Sequence, residues 1–230
     1  MAKISKKLAL ARQKVEPNKI YKLHEAIKLA QETSYTKFDG AIDIALNLNL
    51  DVRQAEQQLR GSISLPNGTG KNIKVLVATD DFKLQAEAKA AGADLVFSQN
   101  DLVTLFAKEK FDFSIIITEP KMMPFLGRYG KLLGPKGLMP NPKTGTVTMQ
   151  IGKAVEEVKK GKANYRTDKS GIIHASIGKT SMDIDKLVEN AEEVIKTIKR
   201  LKPATVKGDY IKNFTISASM GPAIKVQIDK

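Results

Sequence analysis

The segment from Lys121 to Val155 restricts the fold more than any other part of the chain, because glycine and proline recur throughout it. Glycine raises the entropy cost of ordering the backbone and proline removes a hydrogen-bond donor, so the segment suits neither a long helix nor a central strand. It contains six basic side chains and no acid. The apolar residues Leu132, Leu133 and Met139 argue against disorder. We therefore predict an ordered, exposed, basic Gly/Pro loop over residues 121–145.

The charge of the chain indicates a polyanionic partner. The formal net charge is +13 over 230 residues, with a pI near 9.7. Nucleic acid, an anionic membrane surface and an acidic protein all fit this charge. There is no apolar run of about 18 residues and no N-terminal segment of the signal-peptide type, which predicts a cytoplasmic protein without a membrane partner. The absence of cysteine excludes disulfides and thiolate chemistry, and with only two histidines we predict no metal and no cofactor.

Both ends of the chain carry the patterns of an α+β domain. Residues 41–50 alternate between large apolar residues and smaller or polar ones, which is typical of an antiparallel strand with one solvated face. Ser181 is a candidate N-cap for a long helix that ends at Pro203. The other predicted elements of the two ends are helices over residues 1–15, after Pro17 and over residues 52–60, strands over residues 62–65, 214–218 and 224–228, and a hairpin over residues 165–177 with its turn at residues 168–171.

The middle of the chain follows a different pattern. Short apolar strands separated by helices are typical of βαβ units around a parallel sheet. The predicted strands cover residues 73–78, 93–97 and 113–117, and the predicted helices cover residues 82–91, 101–108 and 151–160. We therefore predict an α+β terminal domain, an antiparallel sheet with helices, that is interrupted by an α/β Rossmann-like insert.

The predicted domain boundaries follow from this change of pattern. Residues 1–68 and 160–230 form the discontinuous α+β domain, and residues 69–159 form the insert. Residues 1–68 have 11 basic and 7 acidic side chains, residues 160–230 have 14 and 8, and residues 69–159 have 13 and 10. The terminal domain therefore carries +10 of the net charge.

Two features bear on a possible enzyme. Gly178-Lys179-Thr180 lies between a predicted strand and helix and resembles part of a phosphate-binding loop. The earlier glycine of such a loop falls at Ile173, so a nucleotide-dependent enzyme built on the βαβ insert is the less favoured alternative. We interpret His174, in an apolar strand, as a satisfied sheet histidine. We predict no catalytic residue.

Two short stretches have the character of a nucleic-acid surface. Met220 follows Ser219 and precedes two turn-forming residues, so its side chain is expected to be exposed. Phe38 lies between Lys37 and Asp39 just before a strand. Exposed apolar side chains beside small or charged residues suit a surface that contacts sugars and bases.

Several longer motifs resemble the L one family of ribosomal proteins, which bind the mobile rRNA stalk of the large ribosomal subunit, in its bacterial form. The resemblance covers nearly the whole chain. Its most specific motif is Leu132-Leu133-Gly134-Pro135-Lys136-Gly137-Leu138-Met139-Pro140-Asn141-Pro142-Lys143. The other matching motifs are Lys37-Phe38-Asp39, Arg60-Gly61, Leu65-Pro66-Asn67-Gly68-Thr69-Gly70-Lys71, Ala90-Ala91-Gly92-Ala93-Asp94, Asp168-Lys169, Gly171-Ile172-Ile173-His174-Ala175 and Met220-Gly221-Pro222.

The resemblance implies a structural, non-enzymatic constituent of the large ribosomal subunit in the cytoplasm, a monomer within the ribosome that binds the rRNA stalk. It implies that three segments meet in space to bind rRNA, and the residues concerned are Lys37, Phe38, Asp168, Lys169, Ser170, Ser219, Met220 and Gly221. The insert is a secondary partner in the family, which assigns a weaker RNA contact to Arg128, Lys131, Lys136 and Lys143. Further implied partners are exit-site tRNA, whose movement and release the protein would assist, and its own operon mRNA, whose translation it would repress.

The chemistry of these residues suits RNA. Ser219, Ser170 and backbone amides are expected to read 2′-hydroxyls and phosphates, and Phe38 and Met220 to pack on the sugar surface. The chain departs from the family pattern at Gly40-Ala41, where an acid and often a hydroxyl residue are usual. Ser219 replaces a common threonine and keeps its hydroxyl.

Overall fold

The computed structural model describes residues 5–107, 111–203 and 206–228, with the side chain of Ala55 left out. The chain divides into two compact units: unit 1 comprises Met1–Lys71 and Ala163–Lys230, and unit 2 comprises Asn72–Lys162. Parts of two predicted helices, residues 1–4 and residue 108, lie outside the described residues.

The helices and strands are numbered in chain order. The α-helices are α1 (Lys6–Gln13), α2 (Leu23–Glu32), α3 (Phe82–Ala90), α4 (Gln99–Ala107), α5 (Met123–Arg128), α6 (Gly130–Leu133), α7 (Ile151–Lys159) and α8 (Ile184–Arg200). The strands are β1 (Ala41–Leu48), β2 (Arg60–Ser64), β3 (Val75–Ala78), β4 (Leu95–Phe97), β5 (Ile115–Thr118), β6 (Lys162–Arg166), β7 (Ile172–Lys179), β8 (Ile211–Ala218) and β9 (Ile224–Lys225). Short 3-10 helices span Ala55–Gln57, Pro120–Met122 and Pro142–Thr144.

Unit 1 is built around an antiparallel sheet with the strand order β7-β1-β8-β9. The alternation predicted in β1 is confirmed, because Ile42, Ile44, Leu46 and Leu48 are buried and the residues between them are partly exposed. Helices α2 and α8 pack on the apolar face and complete the core. One face of the sheet is therefore covered by helices, and small or polar residues occupy the other face.

Two predicted elements of unit 1 differ from the structure. The predicted helix over residues 52–60 is wrong, since the segment contains a single 3-10 turn. Side chains there bond the backbone locally: Gln57 Oε1 accepts the Asp51 N–H at 2.7 Å and Asp51 Oδ1 accepts the Arg53 N–H at 3.1 Å. The predicted hairpin is confirmed at its turn, which the antiparallel Thr167–Ile173 bridge closes. Its two strands otherwise pair elsewhere, β6 with β2 and β7 with β1.

Helix α8 has the predicted apolar stripe but different ends. Leu187, Ala191 and Ile198 are fully buried. The helix begins after Asp183, whose side chain makes no capping bond, so the prediction of Ser181 as the N-cap is wrong. It ends at Arg200 rather than at Pro203.

Asn190 is a buried polar residue on the inner face of α8, with 0% exposure. Its Nδ2 donates to the carbonyl oxygens of Gly68 at 2.9 Å and Ile177 at 2.7 Å, and its Oδ1 accepts the Asn67 N–H at 3.1 Å. A buried amide must satisfy its hydrogen-bonding groups. Asn190 therefore ties residues 67 and 68 to α8 and β7, which come from the other end of the chain.

Unit 2 has a parallel sheet with the strand order β4-β3-β5, as predicted from the apolar strands. All four residues of β3 are buried. Leu76 and Ala78 belong to one core cluster, with residues of α4, α5 and α6. Val75 and Val77 belong to another, with residues of α3 and α7. Helices thus cover both faces, which explains the continuous apolar run, and the protein as a whole is a mixed α/β structure.

The basic segment over residues 121–145 is not a loop throughout, which corrects the prediction. It contains α5 and α6, of 6 and 4 residues. Pro124 and Pro142 lie in the first turns of helices, where a missing N–H costs little. Leu126 and Leu133 are fully buried in the core of unit 2. Glycine and proline therefore shorten the helices of this segment without excluding them.

Candidate nucleic-acid interface

Two of the three predicted RNA-binding segments lie side by side at one end of the unit 1 sheet. The Ala41 N–H donates to Ser219 Oγ at 3.0 Å, and the Ser219 N–H donates to the Ala41 carbonyl at 2.9 Å. A Cβ added to Gly40 would lie 3.3 Å from the Cβ of Ser219, tighter than most contacts of real Cβ atoms. The absence of a side chain at Gly40 thus permits this close approach.

Two large apolar side chains are exposed at this end. Phe38 is 59% exposed and Met220 is 70% exposed. Met220 has a φ of 62°, the one positive φ among the described non-glycine residues. It occupies a turn closed by the bond from the Gly221 N–H to the Ala218 carbonyl at 2.8 Å. A non-glycine residue in this region is uncommon, and such residues cluster at functional sites.

Asp39 fixes the loop that carries Lys37 and Phe38. Its carboxylate accepts the hydroxyls of Thr180 at 3.0 Å and Ser181 at 2.9 Å, and the Ser181 N–H at 3.1 Å. Lys179 Nζ donates to the Asp39 carbonyl at 3.2 Å and lies 3.8 Å from its carboxylate. The hydrogen bond from the Ser181 hydroxyl is the main cause that lowers the pKa of Asp39 below its usual 3.8. The carboxylate therefore stays charged and holds the exposed phenylalanine in place.

These contacts also account for the Gly178-Lys179-Thr180 motif. A Cβ on Gly178 would lie 2.6 Å from Leu187 and 2.7 Å from Met182, so this glycine permits packing between β7 and the start of α8. The amine of Lys179 is bonded to Asp39. The residue types that resemble a phosphate loop thus serve local structure here.

The hydroxyl of Ser219 differs from its expected role. It accepts the Ala41 N–H and lies 3.3 Å from the Ala41 carbonyl, to which it donates. One lone pair is left for a ligand, so Ser219 mainly positions Met220. The hydroxyl of Ser170 is exposed and makes no hydrogen bond with another described residue, which leaves it free to bind a ligand.

The third predicted segment, the turn from Asp168 to Gly171, lies at the opposite end of the sheet. β1 pairs Ala41 with Lys179 at one end of β7 and Asn47 with Ile172 at the other. The eight residues of β1 span about 23 Å at roughly 3.3 Å per residue. The three segments therefore do not meet at one point, which corrects the expectation taken from the resemblance.

This turn is well ordered by its first residue. Asp168 Oδ1 accepts the N–H groups of Ser170 and Ile172, each at 2.8 Å. The bond from Ile172 is the main cause that lowers the pKa of Asp168 below 3.8. Asp168 Oδ2 lies 3.7 Å from Nε2 of His174, whose side chain is 64% exposed. His174 thus lies in the sheet with a partner, as interpreted, but on the outward side of β7, where it faces Asp168.

A row of small and polar side chains joins the two ends of the sheet. We call it the polar face, and it consists of Asp43, Ala45, Asn47, His174, Ser176, Asn213, Thr215, Ser217 and Lys225. Cross-strand pairing puts these residues on the same side, opposite the helices. None of these nine residues is among those predicted to bind RNA. The alternation in β1 and β8 is the signal that could have found them, since the residues that do not face the core must face the other way.

The four cations predicted in unit 2 are all exposed. Arg128 and Lys131 lie on α5 and α6, and Lys143 lies in the 3-10 turn that ends at Gly145. Lys136 has its amine 4.1 Å above the ring of Phe111, a cation–π contact that orders it. They belong to the other unit, so the sheet of unit 1 does not position them.

The described part of the chain has neither a metal-binding cluster nor a membrane-spanning helix. No group of three or more histidine, aspartate or glutamate side chains there could hold a metal ion. None of the helices within residues 5–107, 111–203 and 206–228 combines the length and the hydropathy needed to cross a bilayer.

The chain belongs to the Ribosomal protein L1p/L10e family, whose match covers residues 30–222. The resemblance seen in the motifs is thereby confirmed.

Three similar relatives are each called Large ribosomal subunit protein uL1. The protein from Metamycoplasma arthritidis (strain 158L3-1) is 61% identical over 227 residues, which cover 99% of both chains. That from Mycoplasmopsis pulmonis (strain UAB CTIP) is 62% identical over 229 residues, which cover 100% of both. That from Mesomycoplasma hyopneumoniae (strain 7448) is 58% identical over 229 residues, covering 100% of this chain and 99% of the relative.

Proposed function

We propose that this protein is a structural, non-enzymatic constituent of the large ribosomal subunit in the cytoplasm, and that unit 1 binds the mobile-stalk region of the large-subunit rRNA. The observation that carries the proposal is the pairing of Ser219 with Ala41, which holds Phe38 and Met220 exposed at the end of a polar sheet face. Family membership and the names of the relatives support it.

The bound RNA lies along the polar face. Phe38 and Met220 pack against sugars and bases at one end, and Lys169 and Ser170 contact the backbone at the other. Between them, hydroxyl and amide groups such as those of Thr215 and Asn213 suit 2′-hydroxyls and phosphates. Recognition would then depend on an RNA shape that extends over about 23 Å rather than on a single point, given roughly 3.3 Å per strand residue.

The two units would have unequal shares in binding. Residues 1–68 and 160–230 would form the discontinuous rRNA-binding domain, and residues 69–159 the inserted Rossmann-like domain. The insert would make a secondary RNA contact through Arg128, Lys131, Lys136 and Lys143, which are exposed cations on short helices and turns. Such contacts are salt-sensitive and carry little sequence information. Exit-site tRNA, whose movement and release the protein would assist, is the proposed partner of this unit.

A regulatory role would use the same surface. If the operon mRNA of the protein presents the shape of the rRNA site, it binds the polar face and is repressed when free protein exceeds free rRNA. No additional site is required for this role.

The test of the main proposal is binding to a large-subunit rRNA stalk fragment, against a scrambled RNA of equal length, over a series of salt concentrations. We expect the stalk fragment to stay bound at salt concentrations that release the scrambled RNA. Equal affinities and equal salt dependence for the two RNAs would contradict the proposal.

Met220→Asp tests the site itself. We expect it to weaken stalk binding by about 10-fold to 100-fold, since it replaces an apolar contact with a charge that repels phosphate, and to change scrambled-RNA binding much less. Met149→Asp is the matched control, because Met149 is 59% exposed in unit 2. Equal losses on both RNAs would leave only a non-specific basic surface.

A further inference from the structure

Beside the turn at residues 168–171 lies a hollow whose lining includes two predicted site residues, Asp168 and Lys169, and five residues that were not predicted to bind RNA. Its volume is about 580 Å³, and its lining residues are Val52, Arg53, Gln58, Arg166, Thr167, Asp168 and Lys169. Thr167 is buried and Val52 is partly buried, so they form the floor, whereas the basic side chains are exposed at the rim. Volumes of roughly 300–1,000 Å³ are usual for pockets that hold small ligands.

Three cations line this hollow without a partner. Arg53, Arg166 and Lys169 form no ion pair with any residue in the described ranges. Arginine and lysine side chains offer hydrogen-bond donors and no acceptor, and the arginine fork matches two oxygens of a phosphate. Three unpaired cations around one hollow are therefore suited to bind an anion that has several oxygen atoms.

The acidic groups nearby do not neutralise these cations. Among the described residues that line the hollow, Asp168 is the one carboxylate. Its Oδ1 accepts two backbone N–H groups and its Oδ2 lies 3.7 Å from His174. Asp51 lies two residues before Arg53, and its Oδ1 accepts the Arg53 N–H at 3.1 Å. Both carboxylates thus hold the backbone that forms the rim.

The position of the hollow identifies the source of the anion. β1 ends at Leu48, four residues before Val52. Asp168, which lines the hollow, lies 3.7 Å from His174 of the polar face, so the hollow lies next to the far end of this face. An RNA that lies along this face would bring its sugar-phosphate backbone there.

We infer that Arg53, Arg166 and Lys169 together bind one phosphodiester group of the RNA on the polar face. The inference rests on the proposed function and adds Arg53 and Arg166 to the interface. Phe38 and Met220 would mark one end of the RNA footprint, and this phosphate would fix the other. Contacts at these two ends of the sheet would together fix the position of the RNA along the strands.

The test compares Arg53→Gln, Arg166→Gln and the double variant with the intact protein, by titration of the stalk fragment over a salt series. Each single variant should weaken binding by about tenfold and lower the slope of log K against log salt by less than about 1, because two cations still face the phosphate. Adding Lys169→Gln to the double variant should lower the slope by about 1 in all, as expected for one lost phosphate contact. A slope reduced by about 2 would assign two separate phosphates, and an unchanged slope would assign none, so either result overturns the inference.

Matched variants separate this site from net charge and from folding. Lys28→Gln removes one exposed cation on α2, on the helix-covered side of the sheet, and should change neither slope nor affinity appreciably. Arg53→Lys with Arg166→Lys keeps the charge but loses the planar forks, so the slope should be retained while the affinity falls severalfold. Unchanged thermal melting of all variants shows that the fold is intact.

A second measurement distinguishes RNA from free nucleotide. Adenosine monophosphate and inorganic phosphate are added at constant ionic strength, and thermal melting is followed. We expect no saturable stabilisation by either. Saturable stabilisation that Arg53→Gln abolishes would assign the hollow to a free phosphate compound and overturn the inference.

Failure of this inference and failure of the proposed function are distinguishable. If the intact protein binds stalk and scrambled RNA equally, the proposed function fails. If the intact protein prefers the stalk and the arginine variants bind it equally well with the same slope, the phosphate site alone fails. Ethylation of single RNA phosphates gives an independent readout, because one position should interfere with binding by the intact protein and not by Arg53→Gln.

Discussion

The four-stranded sheet of unit 1 and the three-stranded sheet of unit 2 differ in how many of their faces are covered by helices. In unit 2 the residues of β3 point alternately into two cores, so both faces are packed against helices. In unit 1 the side chains on one face of β1 are buried in the core, and the other face carries small and polar residues. A parallel sheet with helices on both sides can offer a ligand only its edges and connections, whereas a one-sided antiparallel sheet can offer a whole face. The difference explains why the proposed main interface lies in unit 1.

The largest expected effect is the loss of stability caused by an aspartate at a buried position of β3 or β1. Leu76→Asp and Val77→Asp should both unfold unit 2, because neighbouring positions of β3 are fully buried on opposite faces. In unit 1, Leu46→Asp should unfold the sheet, whereas Asn47→Asp should leave its stability almost unchanged. A buried unpaired charge costs more than about 4 kcal/mol, and a surface change costs within about 0.5 kcal/mol.

Hydrogen exchange measured by mass spectrometry tests these variants, because peptides from each unit show the amide protection of that unit separately. Protection of unit 2 in the Val77→Asp variant would contradict the description of β3 as buried on both sides. Loss of protection in Asn47→Asp would contradict the description of a solvated face in unit 1.

The second effect concerns RNA binding by the polar face. Thr215→Asp puts a negative charge between Ala45 and Lys225 on this face. It should weaken stalk binding by about tenfold through repulsion of phosphate, without a change in melting temperature. Thr104→Asp on α4 of unit 2 is the control, since it makes the same substitution at an exposed threonine. Equal effects of the two variants, measured by filter binding, would remove the distinction between the units.

A smaller effect is expected from two aspartates that hold local structure, one in each unit. The Ser181 hydroxyl is the main cause that lowers the pKa of Asp39, and the Ser98 hydroxyl is the main cause that lowers the pKa of Asp101. A lowered pKa in the folded state means that the unfolded chain binds the proton more tightly. The stabilisation is therefore present above pH 3.8 and is lost as the pH falls below that value.

Asp39→Asn and Asp101→Asn should each flatten the rise of stability with pH in this acidic range, measured by urea unfolding. Only Asp39→Asn should also weaken stalk binding at pH 7, by about threefold to tenfold, because it frees the loop of Phe38. That loss should be the same from pH 6 to pH 8, since Asp39 stays ionised there. A binding loss in Asp101→Asn would show that the two units are not independent in this respect.

The smallest effect is expected from the cations of unit 2. Lys131→Gln should weaken binding of exit-site tRNA by about threefold or less and lower the salt slope by at most about 1. Lys160→Gln removes a cation that lies 3.7 Å from Glu156 and serves as the control. A larger effect of Lys131→Gln on the stalk fragment than that of Met220→Asp would reverse the assignment of the main interface.

The sequence predicted those parts of the fold that depend on periodicity. The alternation in β1, the buried run of β3 and the stripe of α8 each repeat over enough residues to identify the element and its inner face. The same patterns could not decide which strands pair, so β6 was joined to β7 although it bonds to β2. They also could not show where Asp51 and Gln57 would bond the backbone and replace a helix by one turn.

The site was partly predictable for a related reason. Exposure of Phe38 and Met220 followed from neighbouring charges and turn residues, and both are exposed. The partner of Ser219 could not be predicted, because Ala41 lies 178 residues away and the bond depends on how β1 and β8 meet. The hollow at Arg53 and Arg166 could not be predicted from the sequence either, since these residues are far apart in the chain and only the fold brings them together.

The order of the strands in unit 1 has a consequence for synthesis of the chain. β1 lies between β7 and β8, and both neighbours are made after the whole of unit 2. At roughly 5–20 residues per second, the nascent β1 waits on the order of ten seconds for its partners, while unit 2 can already fold. The buried amide of Asn190 closes the unit only when its own helix has emerged. A chain that stops short of β8 can still pair β1 with β7, but it lacks the second neighbour of β1 and the turn that carries Ser219 and Met220. Termination near the end of translation therefore removes one end of the proposed interface.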